Sequence, residues 1–251
     1  MKPVKWGVIS TANIGVAKVL PGMLKSKDIE IVAISSRKLK TAQEWAGKLG
    51  IPRAYGSYEE MLADPEIEAV YNPLPNHLHV PLTLAAAKAG KHVLCEKPIA
   101  ITAKEAMQLK KAPKNVFIAE AFMVRHAAQW LAVRDLVKKN KIGEVRAIQV
   151  LFSYFLKDPK NVRNMADIGG GGLLDIGCYP ITVSRFIFDG EPQRVTATFD
   201  RDPKFKTDRL AGGLAEFSEG RHLSFTISTQ LAPYQRVQIM GTKGRIEIEI
   251  P

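Results

Sequence analysis

Residues 4–16 read Val4-Lys5-Trp6-Gly7-Val8-Ile9-Ser10-Thr11-Ala12-Asn13-Ile14-Gly15-Val16. The apolar run Val4–Ile9 suits a strand buried on both faces of a parallel sheet. It ends at polar residues and passes directly into Ile14–Leu24, whose composition predicts a helix. A strand, a tight turn and a helix in this order form the context in which the dinucleotide fingerprint G-x-G-x-x-G has meaning. Its three glycine positions fall on Ser10, Ala12 and Gly15. The first makes the turn, the second lets the backbone approach a pyrophosphate, and the helix amides that follow attract phosphate. Ala12 adds one methyl group, and Ser10 calls for a turn without positive φ. Ser10, Thr11, Ala12, Asn13 and Ile14 thus become a candidate pyrophosphate cradle. An ordinary turn is the other reading of the same residues.

Outward from this stretch, strands and helices alternate. Strands are expected at Ile29–Ile34, Ala69–Leu74, His92–Cys95 and Val116–Ala119. Helices are expected at Lys40–Leu49, stopped by Gly50, at Tyr58–Leu62, capped by Ser57, at His79–Ala89, and at Thr102–Lys110, where Glu105 completes a capping box. The pattern changes near Phe122. An amphipathic helix, Ala127–Lys139, precedes strand-like runs at Val145–Phe155, Arg194–Phe199, Gly213–Phe217, His222–Thr229, Arg236–Met240 and Gly244–Ile250, with one helix near Asp175–Phe188. The fold class is therefore α/β. A Rossmann dinucleotide-binding domain over residues 1–121 is followed by an α+β domain with a mostly antiparallel sheet over residues 122–251. The first is read as the NADP-binding domain and the second as the substrate-binding and oligomerisation domain.

The 251 residues are 46% hydrophobic and 24% charged, ordinary globular usage that excludes disorder, collagen and coiled coil as the main state. No apolar run approaches the roughly 20 residues that span a bilayer, and the N-terminus makes a poor signal peptide. Cys95 and Cys178 form no disulfide framework or metal cluster and read as core thiols, so no metal is expected and the cytoplasm is the simplest compartment. The net charge of +11 attracts anions, but the cations are spread along the chain without an aromatic-interleaved stripe, which argues against nucleic acid as partner.

An NAD site wants Asp or Glu about 20 residues beyond the first loop, to hold the ribose 2′-hydroxyl. This chain carries Ser35-Ser36-Arg37-Lys38 there. A hydroxyl followed by two cations suits a 2′-phosphate, so Ser36, Arg37 and Lys38 favour NADP over NAD.

Four stretches resemble the Gfo/Idh/MocA oxidoreductase family, in particular its glucose–fructose oxidoreductase and dimeric dihydrodiol dehydrogenase branch. They are Gly7-Val8-Ile9-Ser10-Thr11-Ala12, Pro75-Asn76-His77-Leu78-His79, Glu96-Lys97-Pro98 and Gly170-Gly171-Gly172-Leu173-Leu174-Asp175-Ile176-Gly177-Cys178-Tyr179. The resemblance covers the whole chain. It implies an NAD(P)-dependent enzyme acting on the CH–OH group of a sugar, polyol or related small alcohol or carbonyl compound.

By the resemblance, Lys97 contacts the nicotinamide ribose and the substrate oxygen, and Tyr179 is the acid/base. A free tyrosine titrates near pH ~10, and a neighbouring ammonium would lower that value. Asp175, one helical turn before Tyr179, orients the tyrosine or a substrate hydroxyl, or is simply a helix-start carboxylate. The cofactor set implied further includes Leu74, Pro75, Asn76, His79, Glu96, Arg125 and Arg163, with the substrate a further candidate contact for His79.

Two departures stand out. Ala128 replaces a family proline and Val124 an aromatic, beside Ala127. The chain also ends at Pro251 where members of the family continue, so the C-terminal sheet is expected to lack edge strands, and a homo-oligomer through that sheet to be altered. A catalytically weak NADP-binding sensor and a basic nucleic-acid module are the competing readings.

Overall fold

The computed structural model describes residues 2–251, which divide into two compact units, 2–121 and Phe122–Pro251. In the first, six strands form one sheet: β1 (Val4–Val8), β2 (Ile29–Ser35), β3 (Arg53–Tyr55), β4 (Ala69–Asn72), β5 (His92–Glu96) and β6 (Ile118–Ala121). Their order is β3-β2-β1-β4-β5-β6 and every pairing is parallel. The chain winds outward from β1 in both directions, so the strand order reverses between β1 and β4. In such sheets ligands bind at that switch point, beyond the carboxyl ends of the strands.

The connections are α1 (Leu20–Met23, entered through a wide π-helical turn at Gly15–Val19), α2 (Leu39–Leu49), α3 (Tyr58–Ala63), α4 (His79–Lys88) and α5 (Ala103–Ala106). Gly50, in left-handed conformation, stops α2, and the Ser57 hydroxyl accepts the Glu60 amide at the start of α3. The helix expected over Thr102–Lys110 is one α-turn followed by a 3₁₀ stretch, Met107–Lys111. Thr102 does cap it, but the Glu105 carboxylate reaches back to the Ile101 amide, one residue past the N-cap amide of a true box. Strand β3 escapes the sequence pattern because it is three residues of mixed polarity. It is held from the side, Tyr55 donating to Asp64 at 2.8 Å and Arg53 pairing with the same carboxylate at 3.2 Å. Burial of β1 is confined to its C-terminal end: Gly7 and Val8 are buried, as is Ile9 just beyond it, whereas Val4 is exposed.

The second unit carries α6 (Ala128–Lys138) and α7 (Cys178–Phe188) with strands β7 (Val145–Phe155), β8 (Arg194–Arg201), β9 (Asp208–Glu216), β10 (His222–Ser228), β11 (Gln230–Gly241) and β12 (Arg245–Ile248). The order is β12-β11-β7-β10-β9-β8; only β7 and β10 run parallel, and the remaining pairs are antiparallel. Its core joins Trp130 and Val133 of α6, Val183 and Ile187 of α7, and Ile148, Val150, Leu223, Val237 and Ile239 of the sheet. Among the described residues no helix is long and apolar enough to cross a membrane.

Candidate active site

The carboxyl ends of the parallel strands gather the residues of the first unit. Ser10 follows β1 at φ 77°, the left-handed region, which corrects the expectation of a turn without positive φ. Its own side chain makes this tolerable: the hydroxyl accepts the Ala12 amide at 3.2 Å, the local turn bond that short polar residues supply. Thr11 and Ala12 are half-buried, while Asn13 and Ile14 are exposed. At Gly15 a Cβ would meet Pro73 at 3.3 Å and Tyr71 at 3.4 Å, so the small residue lets the helix start against the end of β4. One strand over, Ser35 is buried and donates to the Val8 carbonyl at 3.1 Å, and the Ser36 amide bonds Tyr55. Arg37 and Lys38 stand exposed at the start of α2, whose first turn has no acidic residue.

After β4 the chain runs through buried Leu74 and half-buried Pro75 and Asn76 into α4. His79 is only 1% exposed. Its Nδ1 lies 2.7 Å from the Pro98 carbonyl oxygen and its Nε2 2.6 Å from that of Leu74. Burial holds the imidazole below its ordinary pKa, opposed by those two carbonyls and by the charges of Glu96 and Glu105. Both ring nitrogens of His79 thus face backbone carbonyls inside the protein. Glu96, expected against the cofactor, accepts from the buried Tyr71 hydroxyl at 2.6 Å, and burial together with that carboxylate pushes the Tyr71 phenol well above its usual range. Lys97, half-buried, is the first residue beyond β5, and its bond to Pro98 is cis. Cys95, fully buried, has its thiol pushed up to about 12 by desolvation, which is the behaviour of a core thiol.

In the second unit three glycines set the start of α7. A Cβ on Gly170 would lie 2.6–2.8 Å from the carbonyl oxygens of Met165, Arg163 and Val162, and one on Gly171, at φ 121°, would fall on the Asp208 carboxylate. That carboxylate accepts the Leu173 amide at 2.6 Å, capping the wide turn Leu173–Gly177 that leads into α7. Asp175 sits in this turn. Tyr154 donates to its Oδ2 at 2.6 Å, and Arg163 Nε pairs with the same oxygen at 2.9 Å. Arg163, expected to reach the cofactor, is thus engaged with Asp175, and its guanidinium is held more basic by that charge despite an opposing cost of burial. Tyr179 packs edge-on to Phe122 at 5.0 Å between centroids and near Phe152 at 5.8 Å. Arg125 is exposed in the 3₁₀ turn Met123–Arg125.

Sequence reasoning overlooked Tyr154, Asp208, Tyr71 and Glu120, which accepts the Ile99 amide just beyond the Lys97-Pro98 pair. Tyr154 alone had a signal: it continues the period-two face of Ile148, Val150 and Phe152 along β7. No group of three or more His, Cys, Asp or Glu among the described residues could hold a metal ion.

A doubly wound parallel sheet with a turn and a helix start at its switch point is the architecture of dinucleotide-binding domains. The comparisons agree. Residues 4–116 match the oxidoreductase family with an NAD-binding Rossmann fold, and residues 130–247 the GFO/IDH/MocA C-terminal domain. The chain is 49% identical over 253 residues to an uncharacterized oxidoreductase of Rhizobium meliloti, covering all of this chain and 76% of the relative. It is 38% identical to an NADP-dependent D-xylose 1-dehydrogenase of Haloferax volcanii, covering 96% and 74%. Among solved structures it is similar to KijD10, a 3-ketoreductase from Actinomadura kijaniata in complex with NADP and TDP-benzene, at TM-score 0.91 and 29% identity over 99% of this chain and 77% of that one. The chain belongs to the Gfo/Idh/MocA family of oxidoreductases and is an enzyme acting on CH–OH groups.

Proposed function

We propose that this enzyme prefers NADP and transfers hydride between the nicotinamide and a carbinol or carbonyl carbon of a sugar or polyol, with residues 1–121 binding cofactor and residues 122–251 supplying substrate contacts. The observation that carries the cofactor preference is the start of α2. A helix N-terminus favours anions, yet here Arg37, Lys38 and Lys40 crowd it with no acidic residue in the first turn. A 2′-phosphate relieves that repulsion and accepts charge-assisted bonds. The turn at residues 10–14 fits the pyrophosphate: Ser10 bends the chain, Ala12 is small, and the backbone leads into a helix. The sugar-related names of relatives, a xylose dehydrogenase among them, support the substrate class.

When bound, the dinucleotide supplies or accepts the hydride. The protein's part is electrostatic and protonic. Reduction gathers negative charge on the carbonyl oxygen. The Lys97 ammonium stabilises that charge and the Tyr179 hydroxyl delivers the proton. Asp175, anchored by Tyr154 and Arg163, stands one turn before Tyr179 and orients it or a substrate hydroxyl.

A panel of sugars and polyols led by D-xylose, with NADP, tests this. Tyr179→Phe keeps the ring and its packing but removes the proton. It should lower kcat by about 10²–10⁴ with NADPH affinity nearly constant, and Lys97→Met should cost at least as much. Full activity of Tyr179→Phe overturns the assignment.

A further inference from the structure

His79 joins two segments that are far apart in sequence. Leu74, whose carbonyl faces Nε2, begins the segment that carries Pro75 and Asn76. Pro98, whose carbonyl faces Nδ1, directly follows Lys97. The neighbouring bonds make the arrangement specific. Buried Asn72 accepts the Leu74 amide at 3.3 Å and donates to the His79 carbonyl at 3.2 Å and to the Thr83 hydroxyl at 3.4 Å. On the far side Glu120 accepts the Ile99 amide at 2.8 Å. Leu74 is therefore held at its amide by Asn72, the carbonyls of Leu74 and Pro98 lie against opposite nitrogens of the His79 ring, and Glu120 holds the Ile99 amide. The Asn72 and His79 side chains have little or no freedom to reorient, since Asn72 is fully buried and His79 nearly so.

We propose that His79 is a positioning residue for Lys97: it ties the 97–99 turn to the 74–76 segment, so that the ammonium and the cofactor-facing loop keep one spacing. This rests on Lys97 being the catalytic cation. A neutral imidazole has one N–H to give and a charged one has two; the tie is made by the tautomer whose Nδ1–H donates to the Pro98 carbonyl, with Leu74 against the other nitrogen. Asparagine places a donor near the Nδ1 position and glutamine near the Nε2 position. The two variants therefore separate the halves of the tie, and leucine removes both.

The test measures amide hydrogen exchange across the full chain, with and without NADPH, together with NADPH affinity by fluorescence titration. His79→Leu should speed exchange in residues 74–79 and 97–99 together by about tenfold, the worth of one or two buried hydrogen bonds, and raise the NADPH Kd by a similar factor. The rest of α4 should keep its protection, which separates a tie from simple core packing. His79→Asn or His79→Gln, or both, should restore protection in the segment its donor reaches. Two results overturn the proposal: leucine leaving both segments as protected as in the parent, or asparagine and glutamine both behaving like leucine. Lys97→Met runs in parallel. It should leave both segments protected while turnover collapses. Parental turnover in that variant removes the role of Lys97 without touching the tie itself, so the two failures are distinguishable.

Discussion

The two units position their candidate residues by different means. In the first, backbone topology does most of the positioning. Parallel strands all end on one side, so residues 10–14, 36–38, 74–76 and 97 arrive there whatever their side chains do. In the second, Asp175 and Tyr179 follow a glycine run, 169–172, in which Gly170 and Gly171 admit carbonyls and a carboxylate where a Cβ would collide. A site made by strand order tolerates changes in its loops. A site made by close approach does not.

The largest effect should therefore come from a single methyl group in the second unit. Gly171→Ala forces a Cβ against Asp208 at a φ that L-residues rarely adopt. It should destabilise by about 3 kcal/mol, from backbone strain and a displaced cap, and lower the melting midpoint by roughly 6–12 °C. The contrasting change is Gly47→Ala within α2, where the added methyl group meets nothing within 4 Å. That substitution should raise stability by about 0.5–1 kcal/mol, the helix-interior cost of glycine. Thermal melts of the two variants give opposite signs if the comparison holds; equal losses would break it.

The same contrast explains what could be read from the chain without coordinates. Strand–helix alternation, caps at Ser57 and Thr102, and the Gly50 stop are local signals, and they located the elements of the first unit to within a few residues. Strand β3 is three residues of mixed polarity, and what holds it, the pairing with β2 and the Asp64 carboxylate, lies outside the strand. Ser10 was misjudged because the compensation for positive φ lies in its own hydroxyl, which a glycine-based fingerprint does not weigh. For His79, Glu96 and Arg163 the motif names the residue type and not the partners the side chain takes inside the protein. Their partners, Leu74, Pro98, Tyr71 and Asp175, become apparent only once strands and turns are stacked.

In the first unit the sharpest test is a side chain that topology merely delivers. Arg37→Ala should weaken NADPH binding by about 10–100-fold, the range for a hydrogen-bonded charge to phosphate, and leave NADH binding nearly unchanged. Because the loop backbone is held by the Ser36 amide to Tyr55, the fold should not respond. Fluorescence titration of both dinucleotides decides it, and parallel losses for NADPH and NADH would remove the 2′-phosphate from this loop.

The smallest expected effect probes the network of the second unit. Tyr154 is a hydrogen donor to Asp175, and burial, reinforced by the Asp175 charge, drives its phenol far above the ordinary tyrosine value. The sign follows: a raised pKa keeps the proton on Tyr154 throughout the working pH range, so the donor bond persists and Tyr154 cannot be the group whose ionisation shapes a rate profile. Tyr154→Phe removes one bond to a charged acceptor while Arg163 still holds Asp175. Turnover should fall by about three- to tenfold, the worth of one such bond when a second partner remains. The pH at which the rate changes should stay where it is in the parent. A shift of that inflection would mean that Tyr154 itself exchanges the proton, and would move the acid/base from α7 to the end of β7.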